Sequence, residues 1–112
     1  MQFPQNLYQH YHAHLYYDET SEALALSIYQ ELQAMAEYRL GRFHRKLVGP
    51  HPKWSFQIAF ERNQFEALIL WLEEHRQTLS VLVHGETGNF FLDHTEHAYW
   101  LGSAHRLHLK MA

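Results

Sequence analysis

Apolar and polar residues alternate in three short segments of the chain, which is the pattern of half-buried β-strands. In Tyr11–Tyr17 the odd-numbered positions are apolar, and in Trp54–Phe60 the even-numbered positions are apolar. In Ser80–His84, Val81 and Val83 share one face. Each segment therefore presents one apolar face to a core and one face of different character.

Two segments have apolar residues at helical spacing instead. The first follows the capping-type residues Asp18–Glu22 and is predicted to end near Gly41, and the second is introduced by a possible capping box of Asn63 and Glu66. The two apolar stripes are Leu24, Ile28, Leu32 and Met35, and Phe65, Leu68, Ile69 and Leu72. Both helices are amphipathic, so each should pack one side against a sheet.

Three further elements complete the prediction. We expect a strand at Phe43–Val48, a short helix at Thr95–Leu101 and an edge strand at Arg106–Leu109. The main order is strand, helix, strand, strand, helix, strand, which is the ferredoxin-like plait, an α+β fold with an antiparallel sheet and both helices on one face. The 112 residues are expected to form one domain.

The sheet face opposite the helices is predicted to carry a site. In this plait the first and third strands are central neighbours and the fourth flanks the first, so polar side chains from three strands should meet. By parity this face carries His12, His14, Tyr16, Ser55, Gln57, Leu82 and His84. His12 and His14 lie two residues apart on one strand, and His84 should lie across from one of them.

Three imidazoles on one surface are suited to zinc, iron, copper or nickel. The alternative is an exposed strand that happens to be rich in histidine, since the chain has eleven histidines. A carboxylate would complete a site of two histidines and one acid, and Glu61 and Asp93 are the candidates.

Two other histidines could move protons. His51 stands between Pro50 and Pro52, which would hold the imidazole as an acid–base group or ligand, although a solvated loop histidine is the alternative. His94 follows Asp93, whose carboxylate could orient the ring, or Asp93 could cap a helix instead.

Composition excludes several classes of function. The chain has no cysteine, which excludes thiolate zinc sites, cysteine nucleophiles and disulfides. Its net charge of −3 and scattered cations argue against nucleic-acid binding. No apolar run approaches membrane-spanning length, and the first residues lack the features of a signal peptide, so we expect a cytoplasmic protein with no membrane partner.

Four groups of residues in order resemble the small DOPA 4,5-dioxygenase-like family. They are Tyr11-His12-Ala13-His14-Leu15-Tyr16, Gly49-Pro50-His51-Pro52 with Trp54-Ser55-Phe56-Gln57, Leu82-Val83-His84 with Thr87-Gly88, and Asp93-His94-Thr95 leading to Ala98-Tyr99-Trp100-Leu101-Gly102. The resemblance implies a ferredoxin-like fold, dimerisation, and extradiol cleavage of a catechol such as DOPA with O₂ at a non-haem metal. Gly85 departs from the family pattern, in which a proline is expected after His84.

The resemblance also suggests roles for individual residues. The family's histidine motifs correspond to His12, His14, His51, His84 and His94. We expect His12, His14 and His84 to bind a divalent metal, which is iron in the proposed enzyme and could be zinc or nickel in a crystal. His51 and His94 would transfer protons, and Tyr16, Trp54, Ser55 and Gln57 would contact substrate.

Two other functions are compatible with the fold alone. One is a non-catalytic dimeric protein that binds a metal or a small aromatic compound on the open face. The other is a cofactor-independent monooxygenase of the same plait, which would have no need for three converging histidines.

Overall fold

The computed structural model describes residues 4–109, and its centre is a five-stranded antiparallel sheet in the order β2-β3-β1-β4-β5. The elements are β1 (His10–Tyr17), α1 (Glu22–Met35), β2 (Arg39–Leu40), β3 (Trp54–Glu61), a 3₁₀ turn (Arg62–Gln64), α2 (Phe65–His75), β4 (Val81–Gly85), α3 (Phe90–Asp93) and β5 (Ala98–Leu101). The predicted ferredoxin-like plait is confirmed, and β5 extends it by one strand.

The core lies between the sheet and the two long helices. The apolar residues predicted for β1, β3 and β4 are buried there, except Trp54, which is half-buried. Ile28 and Leu32 of α1 and the whole predicted stripe of α2 are buried with them. Burial of each such side chain contributes about 1.5–3 kcal/mol. This packing fixes which face of each strand points away from the helices. Within residues 4–109 no helix is long and apolar enough to cross a membrane.

The segment around β2 differs from the prediction. Helix α1 ends at Met35, because Ala36 takes a left-handed conformation with φ of 60°. The short strand is Arg39–Leu40, and Phe43–Val48 is not a strand. Only isolated hydrogen bonds continue the pairing beyond β2, such as the 2.8 Å bond from the Gly41 N–H to the Gln57 carbonyl.

The start of α2 also differs in position. The capping box is formed by Glu61 and Gln64, two residues before the predicted pair of Asn63 and Glu66. The Gln64 side chain accepts a 2.9 Å hydrogen bond from the Glu61 N–H. The reason is the 3₁₀ turn, which begins the helical segment directly at the end of β3.

The last part of the chain was predicted wrongly. Ala98–Leu101, placed in a short helix, is instead β5 and pairs with β4. Arg106–Leu109 is not a strand. This segment makes single contacts instead, including a 2.7 Å hydrogen bond from the His108 N–H to the Pro50 carbonyl.

Candidate metal centre

The pairing of β1 with β4 brings the predicted histidines together. His12 lies directly opposite His84 in this register, and His14 lies opposite Leu82. Paired residues of antiparallel strands point to the same face. The residues of β1 and β4 that form the helix-packed core have the opposite parity: they are Tyr11, Ala13, Leu15, Tyr17, Val81 and Val83. The predicted strand parity is therefore confirmed.

The ring nitrogens of these three residues converge. One nitrogen from each of His12, His14 and His84 lies within 4.8 Å of the other two, and the Nε2 atoms of His14 and His84 are 3.1 Å apart. When two nitrogens occupy adjacent coordination positions of one ion, with metal–nitrogen distances of about 2.0–2.1 Å, they lie roughly 3 Å apart. The spacing of the donors therefore fits a divalent transition metal.

Backbone carbonyls orient two of the imidazoles. Nδ1 of His84 lies 3.0 Å from the carbonyl of Gly85, and Nδ1 of His94 lies 2.8 Å from the carbonyl of Phe90. A carbonyl can only accept, so Nδ1 carries the proton in both rings. The Nε2 atoms of His84 and His94 are thus left with lone pairs available to a metal or a proton.

Burial favours the neutral form of His14 and His84 by lowering the pKa of both. It lowers the pKa of His14 well below its ordinary value, with further lowering by neighbouring histidines. Burial also lowers the pKa of His84 to about 4. A metal ligand must be unprotonated, so at neutral pH protons compete weakly for these two nitrogens.

A carboxylate that the sequence reasoning missed lies beside the cluster. Oε1 of Glu86 is 3.1 Å from Nδ1 of His12 and 3.5 Å from Nδ1 of His84. The available signal was its position two residues after His84. Of the two predicted acids, Glu61 lies beside His10 at 3.9 Å and Asp93 can group with His84 and Glu86.

Asp93 has a different set of close partners. Its Oδ2 accepts a 2.9 Å hydrogen bond from the Thr87 N–H, and its Oδ1 accepts a 2.5 Å bond from the Thr87 hydroxyl. The nearest imidazole to Oδ1 is that of His97, at 3.4 Å, rather than that of the adjacent His94. Asp93 therefore holds the loop after β4 against α3.

His51 and His94 join the same cluster from outside the central strands. The His51 ring centroid is 4.2 Å from that of His14, and the His94 centroid is 4.3 Å from that of His84. Burial, assisted by His94 and other histidines, lowers the pKa of His51 to about 4. Five imidazoles are thus gathered around one region of the open face.

The predicted substrate contacts separate into two groups. Ser55 and Gln57 line a cavity of about 250 Å³ together with His14 and His51. Trp54, in contrast, packs against the core on the helix side, because it has the parity of Phe56. Trp54 therefore lies on the face of β3 opposite to Ser55 and Gln57.

Part of the open face, around Tyr16 and Leu82, is covered by the chain itself. Tyr16 is only 1% exposed and packs against Trp100, His51 and His105, while Leu82 is fully buried. Because both residues are buried, they offer no apolar surface to a second copy of the chain. The homodimer stays a prediction without this support.

Comparison with known sequences relates this chain to one family. The model of the Dopa 4,5-dioxygenase family matches residues 11–111. An uncharacterised 21.2 kDa protein of Botryotinia fuckeliana is 39% identical over 67% of this chain and 45% of its own length. The DOPA 4,5-dioxygenase of Amanita muscaria is 27% identical over 88% of this chain and 47% of its own length. The chain thus spans about half the length of these curated relatives.

A solved structure has the same fold. A crystal structure from Nostoc punctiforme, described as a "putative dioxygenase", matches with a TM-score of 0.86 and 42% identity, over 90% of this chain and 88% of that one. The family match covers the strands and loops that carry all five clustered histidines. The chain belongs to the Dopa 4,5-dioxygenase family.

Proposed function

We propose that this chain is a metal-dependent dioxygenase that opens the ring of a catechol by extradiol cleavage with O₂. The observation that carries the proposal is the pair of buried Nε2 atoms of His14 and His84, 3.1 Å apart, with His12 completing the donor set. Membership of the family supports the reaction class, and the name of the Amanita muscaria relative supports a DOPA-like catechol.

The proposed metal ligands are His12, His14 and His84, and the proposed ion is Fe(II). When bound, such an ion would supply Lewis-acid and template chemistry for the catechol and O₂. Glu86 accepts from Nδ1 of His12 in this proposal, which sets the orientation of that ring.

His94 is the better candidate for the base. Its Nδ1 donates to the Phe90 carbonyl, so its Nε2 can accept a proton from a catechol hydroxyl. The centroid of the His94 ring is 4.3 Å from that of His84 and 6.2 Å from that of His51. A substrate bound at the cluster would therefore contact the His94 ring.

His51 is the better candidate for a proton donor. The Tyr16 hydroxyl lies 2.7 Å from Nδ1 of His51, and burial raises the pKa of Tyr16, so the phenol keeps its proton. Among the described residues, Nδ1 of His51 is the hydrogen-bond partner of this hydroxyl, so the phenol proton points at it. Nδ1 then accepts, and Nε2 of His51 carries a hydrogen that it can donate in a hydrogen bond to a substrate oxygen.

The cavity beside His14 suits a single aromatic ring. Its volume of about 250 Å³ lies below the usual range for larger ligands, and Ser55 and Gln57 offer polar contacts along its wall. We place the catechol ring here, with its oxygens toward the three histidines.

The test is anaerobic reconstitution with Fe(II) followed by a panel of catechols, read by oxygen uptake and by the yellow ring-opened product. We expect stoichiometric uptake with at least one catechol. The variant His14→Ala should be inactive, whereas His75→Ala, on α2 and outside the cluster, should match the wild type. A protein that binds Fe(II) and catechols without consuming oxygen would instead be the non-catalytic binding protein.

A further inference from the structure

A row of paired residues crosses the sheet from the histidines to β2. His84 pairs with His12, His12 with Ala59, and Ala59 with Arg39. Directly paired residues share a face, so Arg39 projects on the same face as His12. Two strand spacings separate them, which places their Cα atoms roughly 10 Å apart.

Open space connects the histidines with Arg39. The cavity lined by His14 shares Gly41 and Gln57 with a second cavity of about 230 Å³, which is lined by His12 and Arg39. The second cavity shares His12, Arg39 and Ala59 with a larger groove of about 930 Å³ at the end of the sheet. A ligand can therefore extend from the histidines past Gln57 to the side chain of Arg39.

Arg39 is the charged group best placed to select such a ligand. Among the described residues that line the second cavity, it is the single permanently charged side chain. It forms no ion pair with any acid in residues 4–109. Three acids also line the larger groove. Glu86 and Glu61 have imidazole partners in His12 and His10, and the third acid is Glu37.

We propose that Arg39 is a specificity-determining residue that binds a carboxylate at the end of a short side chain on the catechol. The inference rests on the proposed function for the position of the ring and adds the residue that recognises the carboxylate of the side chain. A guanidinium binds a carboxylate through two parallel N–H bonds, which a neutral ester accepts far less well.

The experiment measures binding with an inert metal, so it does not depend on turnover. The zinc-loaded protein is titrated calorimetrically with dihydrocaffeate and with its methyl ester, for the wild type, Arg39→Gln, Arg39→Lys and Arg42→Gln. Arg42 is an exposed arginine that does not line the cavities, so its variant controls for overall charge.

We expect Arg39→Gln to weaken binding of the acid by about tenfold, the typical strength of one charge-assisted contact. Binding of the ester should be unchanged, and Arg39→Lys should recover part of the loss. Equal affinity of the wild type for acid and ester, or equal losses for both ligands in Arg39→Gln, would overturn the inference.

Oxygen uptake by the iron-loaded protein separates the two proposals. If acid and ester were turned over with equal efficiency and Arg39→Gln had no effect, the proposed dioxygenase function would stand and the role of Arg39 would be rejected. Selective binding of the acid without any oxygen uptake would keep the anion site and reject the dioxygenase. If the protein bound neither the acid nor the ester, the proposed catechol site and the proposed role of Arg39 would both be rejected.

Discussion

The phenolic hydroxyl of Tyr16 lies 2.7 Å from Nδ1 of His51, and both side chains are buried. Tyr16 was expected to contact substrate, but its hydroxyl is occupied by this imidazole. The contact joins β1 to the Pro50–Pro52 loop, so it holds a loop histidine against the central strand of the sheet. Tyr16 is therefore better described as a positioning residue for His51.

The variant Tyr16→Phe should keep its metal and lose activity. Without the hydroxyl, Nδ1 of His51 is unpaired and the ring can change its protonated nitrogen, so we expect kcat to fall about 10- to 100-fold, less than the full contribution of an acid. Tyr17→Phe is the matched control, because Tyr17 is equally buried but its hydroxyl donates to the His44 carbonyl. Both variants should lose about 1 kcal/mol of stability. An equal fall in activity in both would contradict the assignment.

Replacement of the proposed ligands should have a different effect from replacement of the proton-transfer residues. We expect His12→Ala, His14→Ala and His84→Ala to lose both metal and turnover, since two imidazoles hold a labile ion poorly.

His51→Ala and His94→Ala should retain metal while activity falls roughly 10²–10⁴-fold, the usual contribution of a positioned acid or base. Elemental analysis beside oxygen uptake checks each variant, with His75→Ala as the silent control. If His51→Ala lost its metal while His14→Ala retained it, His51 would be the ligand and His14 the proton-transfer residue.

The metal-free protein should lose stability in mild acid. The pKa values of His51 and His84 are about 4 in the folded chain, below the ordinary value of 6.5, so the unfolded chain binds more protons between these two values. Stability is therefore complete above about pH 6.5 and falls as the pH decreases toward 4. Urea unfolding of the metal-free protein at several pH values measures this, and His84→Gln should show a shallower decline. A stability that is constant from pH 7 to pH 4.5 would refute the expectation.

Gly85 stands where the family resemblance led us to expect proline, and the structure gives a reason for a residue without a side chain. A Cβ at this position would overlap the ring of Tyr8. Gly85→Ala should therefore destabilise the protein by about 1–3 kcal/mol, as overpacking does. The double variant with Tyr8→Ala tests the cause, because the penalty of the alanine should shrink once the ring is absent. If the stability losses of Gly85→Ala and Tyr8→Ala were additive in the double variant, the effect of the alanine would come from the backbone and not from the Tyr8 ring.

The central strands and their faces could be predicted because alternation depends only on local sequence. The same counting placed His12, His14 and His84 on one surface before any pairing was known. The end of α1 could not be predicted, since Ala36 adopts a left-handed conformation that alanine disfavours, imposed by the packing of the residues that follow. The strand at Ala98–Leu101 was missed although Tyr99 and Trp100 favour strands.

The contacts around the site were less accessible to sequence reasoning. The bond between Tyr16 and His51 depends on how the Pro50–Pro52 loop folds back on β1, which no local pattern encodes. Glu86 could have been suggested by its spacing from His84, but its distance from His12 depends on the register of β1 with β4. Arg39 was not singled out from the sequence, because the second strand was predicted at Phe43–Val48 and not at Arg39–Leu40.

The imidazoles of His14 and His84 come from positions 70 residues apart. Since β4 follows β1 and β3 along the chain, the donor set is complete only after β4 has been synthesised and has paired with β1. A metal held by His12, His14 and His84 would therefore be acquired only after this pairing. Its uptake would then report that two strands distant in sequence have become neighbours in the sheet.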